Sequence, residues 1–432
     1  MGVLLVSVGQ AGNAVAGEVW KVLRPVLGPH AALWTYAEDG AVRAVAVDSE
    51  PKVVAALSSD ARPKPRSVVV GQSGRGNNWA FGYAGLPGDN LLDRALEAIR
   101  VEIEAAAFVG AIFVLHAIGG GTGSGLGSAL LGSIRQDYPS TPLFSVAIAP
   151  FATGDTPLQH YNSILCLAHA QAFADGIIYC ANDAAARALA PPADAASSSS
   201  AVRRAPKVAM TDINRHFGTG LASILAPRVL SRAGGSSSDA HIPGADMIAF
   251  RPLDLLGTTF AHPAYKLAHL CVGVEPARKA AIFDTDSWTK LARRAARALP
   301  KYDVNGCPGL TLAASVYARG VPGKSWVKGS KRALAALGGW YQPVAWNPYC
   351  FDALASVESI VRPARPNLAV LWNHTNLGSE LQRTIDAAAL MYEAGAYLHW
   401  YRKFDCPDQV LESAFEVVQG MRDAYVYAGE PS

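Results

Sequence analysis

The feature that constrains this chain most is a run of small residues, Gly119-Gly120-Gly121-Thr122-Gly123-Ser124-Gly125, called the glycine loop below. It follows an apolar segment that ends at His116 and precedes a helical stretch over 126–136. Glycines let a turn approach a ligand without side-chain clash, and the free N–H groups at a helix start favour an anion. The run therefore predicts a phosphate-binding turn, and a turn kept for packing alone is the alternative. It does not match the P-loop, because it has no lysine, and it does not match the dinucleotide fingerprint, because no third glycine has the required spacing.

The first half of the chain alternates short β-branched runs with glycine-rich turns and longer helical stretches. One such stretch, 90–106, carries apolar residues at helical spacing with charges on its other face. This alternation is typical of an α/β fold with a mostly parallel sheet covered by helices. The predicted strands of this half are 3–8, 42–47, 111–116, 143–149 and 176–179.

The second half indicates further domains. Serine-rich segments at 193–202 and 233–244 are predicted to be exposed loops that flank a connecting helix, which starts near Thr211 or Asp212 and runs to about Arg232. Strand-like runs at 310–317 and 368–372 indicate a second α+β domain, and 377–400 and 407–427 read as amphipathic helices. We therefore expect a nucleotide-binding domain at 1–205, a core helix at 206–232, an intermediate domain at 233–372 and a helical region at 373–432.

Composition excludes several classes of protein. With 50% hydrophobic and 17% charged residues in 432, the chain can bury large cores, and a net charge of +3 demands neither nucleic acid nor anionic lipid. The six cysteines are widely spaced without a Cys-x-x-Cys pair, so we expect reduced thiols in the cytoplasm rather than a zinc site or disulfide framework. The start, 1–8, reads as a buried strand rather than a signal peptide, and no membrane span is expected.

Four further polar segments are spaced so that each falls at the carboxyl end of a strand, where ligands bind in open α/β sheets. Their sequences are GQAGN at 9–13, DSEP at 48–51, GRGNNW at 74–79 and ND at 182–183. Asp48 and Glu50 suit a hydrated magnesium ion, and Gln10 and Asn77 offer amide donors to phosphate oxygens. The alternative for each is an ordinary turn or cap residue.

Taken together, these motifs resemble the tubulin superfamily. The segments that carry the resemblance are GQAGN, VDSEP, GRGNNWAFGY, GGGTGSG and TPLQHYNSILCLAHA, in the order and spacing of tubulins. It extends through Asp212-Ile213-Asn214 to the YLHWY run at 397–401 and so spans nearly the whole chain. Within the superfamily the likeness is greatest to δ-tubulin. The expected fold is that of the tubulin/FtsZ GTP-binding proteins.

The resemblance also implies a set of site residues. It places GTP or GDP against Gln10, Ala11, Asn13, Asn77, Gly119, Gly120, Gly121, Thr122, Gly123, Ser124, Gln159, Asn182, Met210 and Asn214, and Mg²⁺ against Asp48 and Glu50. Asn182 and Asn214 would read the guanine edge.

Three positions depart from the family. Gln159 stands where tubulins place a ribose-binding glutamate, and its amide can still bond the ribose hydroxyls. Met210 replaces an aromatic ring that stacks on the base, giving a softer contact. Ala117 replaces a serine of α-tubulin and removes one hydroxyl contact.

The resemblance implies that hydrolysis is completed between subunits, by acidic residues of one subunit's loop acting on the next subunit's nucleotide. The matching loop is 253–259, where Asp254 is the candidate catalytic residue in trans and Gly257 stands at the glutamate position of α-tubulin. Loss of that carboxylate removes general-base help worth roughly 10² to 10⁴ in rate. We therefore expect a primarily structural protein with at most weak GTPase activity.

The resemblance to δ-tubulin implies a cytoskeletal protein of centrioles and basal bodies, acting in triplet microtubule formation and in the assembly of cilia and flagella. Its expected partners are other tubulins, of α/β or ε type, and centriolar proteins. The sequence ends at Ser432 without the long acidic tail of α- and β-tubulin, which attracts motors and basic partners by charge. We therefore do not expect it to be a main subunit of the microtubule lattice. The alternatives are a divergent α, β, γ or ε tubulin acting in microtubule polymerisation or nucleation, an FtsZ-like chain, and a self-contained GTPase or dinucleotide-dependent enzyme.

Overall fold

The computed structural model describes most of the chain. The described residues are 2–28, 31, 34–36, 40–55, 57, 62–86, 88–154, 156–190, 208–229, 247–274, 285–320 and 325–429. The serine-rich segments predicted as exposed loops, 193–202 and 233–244, lie outside them.

The described strands and helices alternate through the first half, as the sequence predicts. The strands are β1 (Gly2–Val8), β2 (Ala44–Asp48), β3 (Val68–Val70), β4 (Val109–Ala117), β5 (Leu143–Ala149), β6 (Gly176–Ala181), β7 (Arg228–Val229), β8 (Met247–Ile248), β9 (Leu267–Val274), β10 (Leu310–Arg319), β11 (Gln342–Pro343), β12 (Phe351–Ser356) and β13 (Asn367–His374). The α-helices are α1 (Gly9–Leu23), α2 (Pro51–Ala55), α3 (Trp79–Ala84), α4 (Leu91–Glu104), α5 (Gly127–Asp137), α6 (Gln159–Phe173), α7 (Asn182–Leu189), α8 (Met210–Leu225), α9 (Pro252–Thr258), α10 (Thr285–Ala296), α11 (Ser325–Gly338), α12 (Leu377–Glu393), α13 (Leu398–Arg402) and α14 (Asp408–Tyr427).

One large sheet organises the described residues, and its first half is parallel. The order along the sheet is β11-β10-β13-β9-β6-β5-β4-β1-β2-β3, with β12 paired to β10. The pairs from β3 through β9 are all parallel, whereas β13 runs antiparallel to both β9 and β10. Every residue of β1, β5 and β6 is buried because helices cover both faces, which explains their continuous apolar sequences. The prediction of an α/β fold with a mostly parallel sheet is confirmed.

The core helix is shorter than the sequence analysis expects. Helix α8 begins at Met210 and ends at Leu225, so the predicted extension to about Arg232 is wrong. Pro227 has no backbone N–H and cannot bond the Ser223 carbonyl, so the helix ends at Leu225, two residues before the proline. The buried guanidinium of Arg319 supplies hydrogen bonds to the carbonyl groups at this helix end. Its Nε donates to Ser223 O at 2.9 Å and its Nη1 to Pro227 O at 2.6 Å.

The last part of the chain is helical, with a break inside one predicted helix. The predicted continuous helix over 377–400 is wrong at 394–397, because α12 ends at Glu393 and α13 begins at Leu398. Gly395 and Tyr397 both take left-handed backbone angles, with φ of 61° and 60°, and this conformation interrupts a right-handed helix. The last predicted helix corresponds to α14, which packs against α12 and α6 over the sheet.

Two further predictions concern the cysteines and membrane-spanning helices. All six cysteines are free thiols, and five of them are buried. Within the described ranges, none of the helices has the length and apolar character needed to cross a bilayer.

Candidate functional site

A cavity of about 560 Å³ opens at the carboxyl ends of β1, β2 and β4. In a parallel sheet these ends meet at one edge, so residues distant in sequence come together there. The lining residues are Gln10, Ala11, Ala14, Asp48, Glu50, Lys52, Val53, Gly74, Arg75, Gly76, Asn77, Ala117, Gly120, Gly121, Thr122, Gly123, Met210 and Asn214. The structure thus brings together most of the residues that the sequence singles out.

The glycine loop has two kinds of glycine. A Cβ added to Gly121 would lie 2.7 Å from Arg75 O and 2.9 Å from Asn78 N, and one added to Gly125 would overlap Trp79 O. These two positions need glycine because the chain before α3 packs directly on Gly121 and α3 itself packs directly on Gly125. Gly120 lines the cavity and has no atom within 4 Å of an added Cβ. Packing therefore explains some of the glycines but not Gly120, whose open side suits a ligand.

The backbone around the cavity favours an anion. Helix α1 starts at Gly9, in a left-handed conformation with φ of 73°, and its first turn contributes Gln10 and Ala11 to the lining. A π-helical turn starts at Thr122, inside the glycine loop, and leads into α5. Helix α8 starts at Met210, which also lines the cavity. Free N–H groups at such helix starts, with the helix dipole, attract phosphate oxygens.

Asp48 is the buried acid of the site. Its Oδ1 accepts a hydrogen bond from the Glu50 N–H at 3.1 Å, while its Oδ2 is buried without a hydrogen-bond partner. Burial raises the pKa of this carboxyl to about 6, against the lowering effect of the Glu50 and Ser49 N–H groups. A divalent cation would satisfy the unpaired oxygen and favour the ionised carboxylate, so the Asp48 environment fits Mg²⁺. No group of three or more candidate metal ligands occurs among the described residues.

Two basic residues of the cavity were missed by the sequence analysis. Lys52 pairs with the Glu50 carboxylate at 2.7 Å, so this predicted magnesium ligand already has a cationic partner in the protein. The Arg75 side chain is buried beside the cavity, where it pairs with Asp89 and lies 5.1 Å over the Phe81 ring. A basic residue next to a strand-end acid, as in DSEPK, is the signal that points to Lys52.

Several predicted site residues lie outside the cavity lining. Gly119 and Ser124 flank its lining part: the Gly119 carbonyl accepts a hydrogen bond from Asn162 Nδ2 at 2.9 Å, and the Ser124 hydroxyl donates to Gly120 O. Asn13 is fully buried, with its Nδ2 donating to Val47 O at 2.9 Å and its Oδ1 accepting from Ser7 at 2.8 Å. These bonds fix the strand ends that carry the cavity.

The residues predicted to bind ribose and to act in trans are also outside the lining. Gln159 is buried and donates through Nε2 to Phe151 O at 3.2 Å. Asn182 begins α7 and is buried, with an Oδ1 that has no hydrogen-bond partner. Asp254 is exposed in the first turn of α9, away from the cavity of its own chain. Of the two residues predicted to read the base, the cavity includes Asn214 alone.

We expect the Asp48→Asn variant to be more stable than the wild type at about pH 7.5, in the absence of nucleotide and magnesium. The folded state holds the Asp48 proton up to about pH 6, whereas the unfolded chain releases it near pH 3.8. The folded protein therefore binds more protons between these values, and its stability falls as pH rises through this range. The neutral asparagine avoids that loss. Urea unfolding midpoints at about pH 4 and pH 7.5 measure the difference.

A matched control is Asp93→Asn, an exposed acid in the first turn of α4. Its midpoint should follow the wild type at both pH values. If Asp48→Asn and the wild type have the same pH dependence, the raised pKa of Asp48 is wrong.

Comparison with known proteins gives a consistent result. The family model described as Tubulin/FtsZ family, GTPase domain, matches residues 2–190. The chain is 23% identical to the tubulin delta chain of Canis lupus familiaris and 24% identical to that of Homo sapiens, in both cases over 98% of this chain and 99% of the relative. It is also 25% identical to the tubulin beta chain of Pyropia yezoensis, over 92% of this chain and 86% of the relative.

Proposed function

We propose that this chain, which matches the Tubulin/FtsZ family GTPase-domain model over residues 2–190, is a member of the tubulin superfamily and binds GTP or GDP in the cavity at the carboxyl ends of β1, β2 and β4. The observation that carries the proposal is the open side of Gly120, in a loop whose neighbouring glycines are needed for packing. The phosphates would lie against Gly120 to Gly123, where backbone N–H groups replace a lysine as the main anion-binding groups. Asn77 and Gln10 would add amide donors from the two sides.

The base would lie toward α8, between Met210 and Asn214. Met210 is 47% exposed at the cavity mouth, which leaves its thioether free to cover one face of a ring. An amide such as that of Asn214 offers a donor for the guanine O6 and an acceptor for the guanine N1–H or N2–H groups. Asn182 and Gln159, which stand just outside the lining, would contact base and ribose only after a local rearrangement.

The acidic side of the cavity would hold Mg²⁺. Asp48 would bind it directly or through water, and Glu50 would do so once released from Lys52. When bound, the ion neutralises phosphate charge. Lys52 is placed to hold Glu50 in the nucleotide-free protein, because their pairing relieves repulsion between two neighbouring carboxylates.

The cellular role that we propose is that of a δ-tubulin-type cytoskeletal subunit at centrioles and basal bodies, required for triplet microtubules and for the assembly of cilia. Its support is the similarity to tubulin delta chains, which covers 99% of their length, against 86% for the beta chain named above. The proposed partners are other tubulins of α/β or ε type and centriolar proteins. The second candidate is a divergent tubulin in ordinary microtubule polymerisation or nucleation, and the beta-chain similarity supports it.

Electron microscopy of basal bodies in cross-section separates these two roles. In cells that lack this protein, the δ-type role predicts doublets in place of triplets, with other microtubules unchanged. Re-expression of the wild-type chain should restore the triplets. Intact triplets together with a general microtubule defect would contradict the δ-type role and support the second candidate.

We expect the Asp254→Ala variant to bind GTP as the wild type does and to hydrolyse it more slowly in assemblies. Asp254 is exposed on α9 and lies outside the cavity of its own chain, so it would act on a neighbouring subunit's nucleotide. Asp254 is the acid that remains in this loop beside Gly257, so its removal should lower the already weak rate further. Binding to the isolated chain and phosphate release in assemblies are the two readouts, with Asp93→Ala as the control. Loss of binding in the isolated chain would refute the role in trans.

A further inference from the structure

Helices α10 and α11 pack side by side and carry a concentration of positive charge. Their six basic residues are Lys290, Arg293, Arg294, Lys328, Lys331 and Arg332, and their one acidic residue is Asp286. The whole chain has a formal net charge of only +3. This helix pair is therefore more positive than the entire protein, and the rest of the chain is slightly acidic.

A cleft runs between these two helices, called the α10–α11 cleft below. It has a volume of about 550 Å³ and is lined by Asp286, Thr289, Lys290, Arg293, Arg332, Ala335 and Ala336. The lining residues recur at helical spacing of three and four, so each helix gives the cleft one continuous face. The alanines leave room between the helices, and the long basic side chains border it.

The charges of the cleft are only partly compensated. Arg332 pairs with Asp286 at 2.9 Å, in an exposed contact. Lys290 and Arg293 have no acidic partner in the part of the chain that the structure describes. The hydroxyl of Thr289 is buried in the same place and has no hydrogen-bond partner there. The cleft thus combines two unpaired cations with one unsatisfied hydroxyl, a set that fits carboxylate oxygens.

The frame of the cleft is held by a tryptophan pair. Trp288 of α10 and Trp326 of α11 are buried and pack edge to face, with ring centroids 5.0 Å apart. The two helices therefore present their basic residues from a packed support. Because both rings are buried, no aromatic face of these helices is available for stacking on a base, which disfavours single-stranded nucleic acid as the ligand.

We propose that the α10–α11 cleft binds an acidic polypeptide segment of a partner protein. The aspartate or glutamate carboxylates of the segment would pair with Lys290, Arg293 and Arg332, and one of them would accept the hydrogen bond that Thr289 can donate. The extended segment would follow the cleft between the helices. The site lies outside the nucleotide cavity and does not depend on GTP binding.

The test is fluorescence anisotropy with a labelled glutamate-rich peptide and the full chain. The cleft variant is the double change Lys290→Glu and Arg293→Glu, and the matched control is Lys328→Glu and Lys331→Glu, which has the same charge change on α11 outside the cleft. We expect the cleft variant to weaken peptide binding at least about tenfold and the control to weaken it about threefold or less. Circular dichroism confirms that both variants are folded.

Three results would overturn the proposal. One is equal weakening by the two variants, which would indicate general charge attraction. Another is equal or tighter binding of a single-stranded oligouridylate than of the glutamate-rich peptide. The third is a lack of peptide binding by the wild type. This result is also expected if the cleft is instead a contact between two copies of this chain, in which case the cleft variant would disrupt a dimer.

Discussion

The Gly120→Val variant should lose guanine-nucleotide binding by about a hundredfold or more while keeping its fold. An added Cβ at Gly120 meets no protein atom within 4 Å, so the backbone has room for a side chain to start there. Gly120 lines the cavity, however, and a branched side chain there would occupy the space of a phosphate and shield the loop N–H groups. A hundredfold loss corresponds to about 2.7 kcal/mol of binding free energy. Isothermal titration with GTP and circular dichroism measure the two halves of this prediction.

The matched control is Gly420→Val in α14, another glycine with no atom within 4 Å of an added Cβ. It should bind GTP as the wild type does. Unchanged binding by Gly120→Val would show that the nucleotide does not approach this loop.

The second large effect concerns stability. We expect the Arg319→Met variant to lose about 4 kcal/mol of unfolding free energy, because buried carbonyl groups each cost roughly 1–3 kcal/mol when left unpaired. Arg319 is 1% exposed, and its guanidinium donates to Ser223 O, Ala226 O and Pro227 O at the end of α8. Burial lowers the pKa of this arginine to about 10, which leaves it charged at neutral pH. Urea unfolding followed by circular dichroism gives the change in free energy.

Arg297→Met is the control, since Arg297 is exposed just after α10. Its stability should stay within about 0.5 kcal/mol of the wild type. An Arg319→Met variant as stable as this control would mean that water or a shifted backbone replaces the guanidinium.

The parts of the fold that the sequence predicts share one physical property, which is a strong local signal. The strands 143–149 and 176–179 are continuous apolar runs that must be buried on both faces, and they correspond to β5 and β6. The glycine loop is also a strong local signal, and it lies between β4 and α5 as the sequence predicts. Its glycines indicate that another backbone segment packs closely on it, and this segment is the chain at α3.

The remaining features depend on contacts between distant segments. The early end of α8 needs both Pro227 and Arg319, which lie 92 residues apart, and no local pattern links them. The pairing of Lys52 with Glu50 depends on side-chain geometry, so the sequence names the acid and misses its partner. Gln159 and Asn182 follow the family order yet stand outside the cavity, because their positions depend on the packing of α6 and α7.

The most direct test of the central claim is isothermal titration of the purified chain with GTP, GDP and ATP in the presence of Mg²⁺. We predict one bound nucleotide per chain, with ATP binding at least about tenfold more weakly than GTP. Equal affinity for ATP and GTP, or no binding of any nucleotide, would contradict a guanine-nucleotide site at the carboxyl ends of β1, β2 and β4.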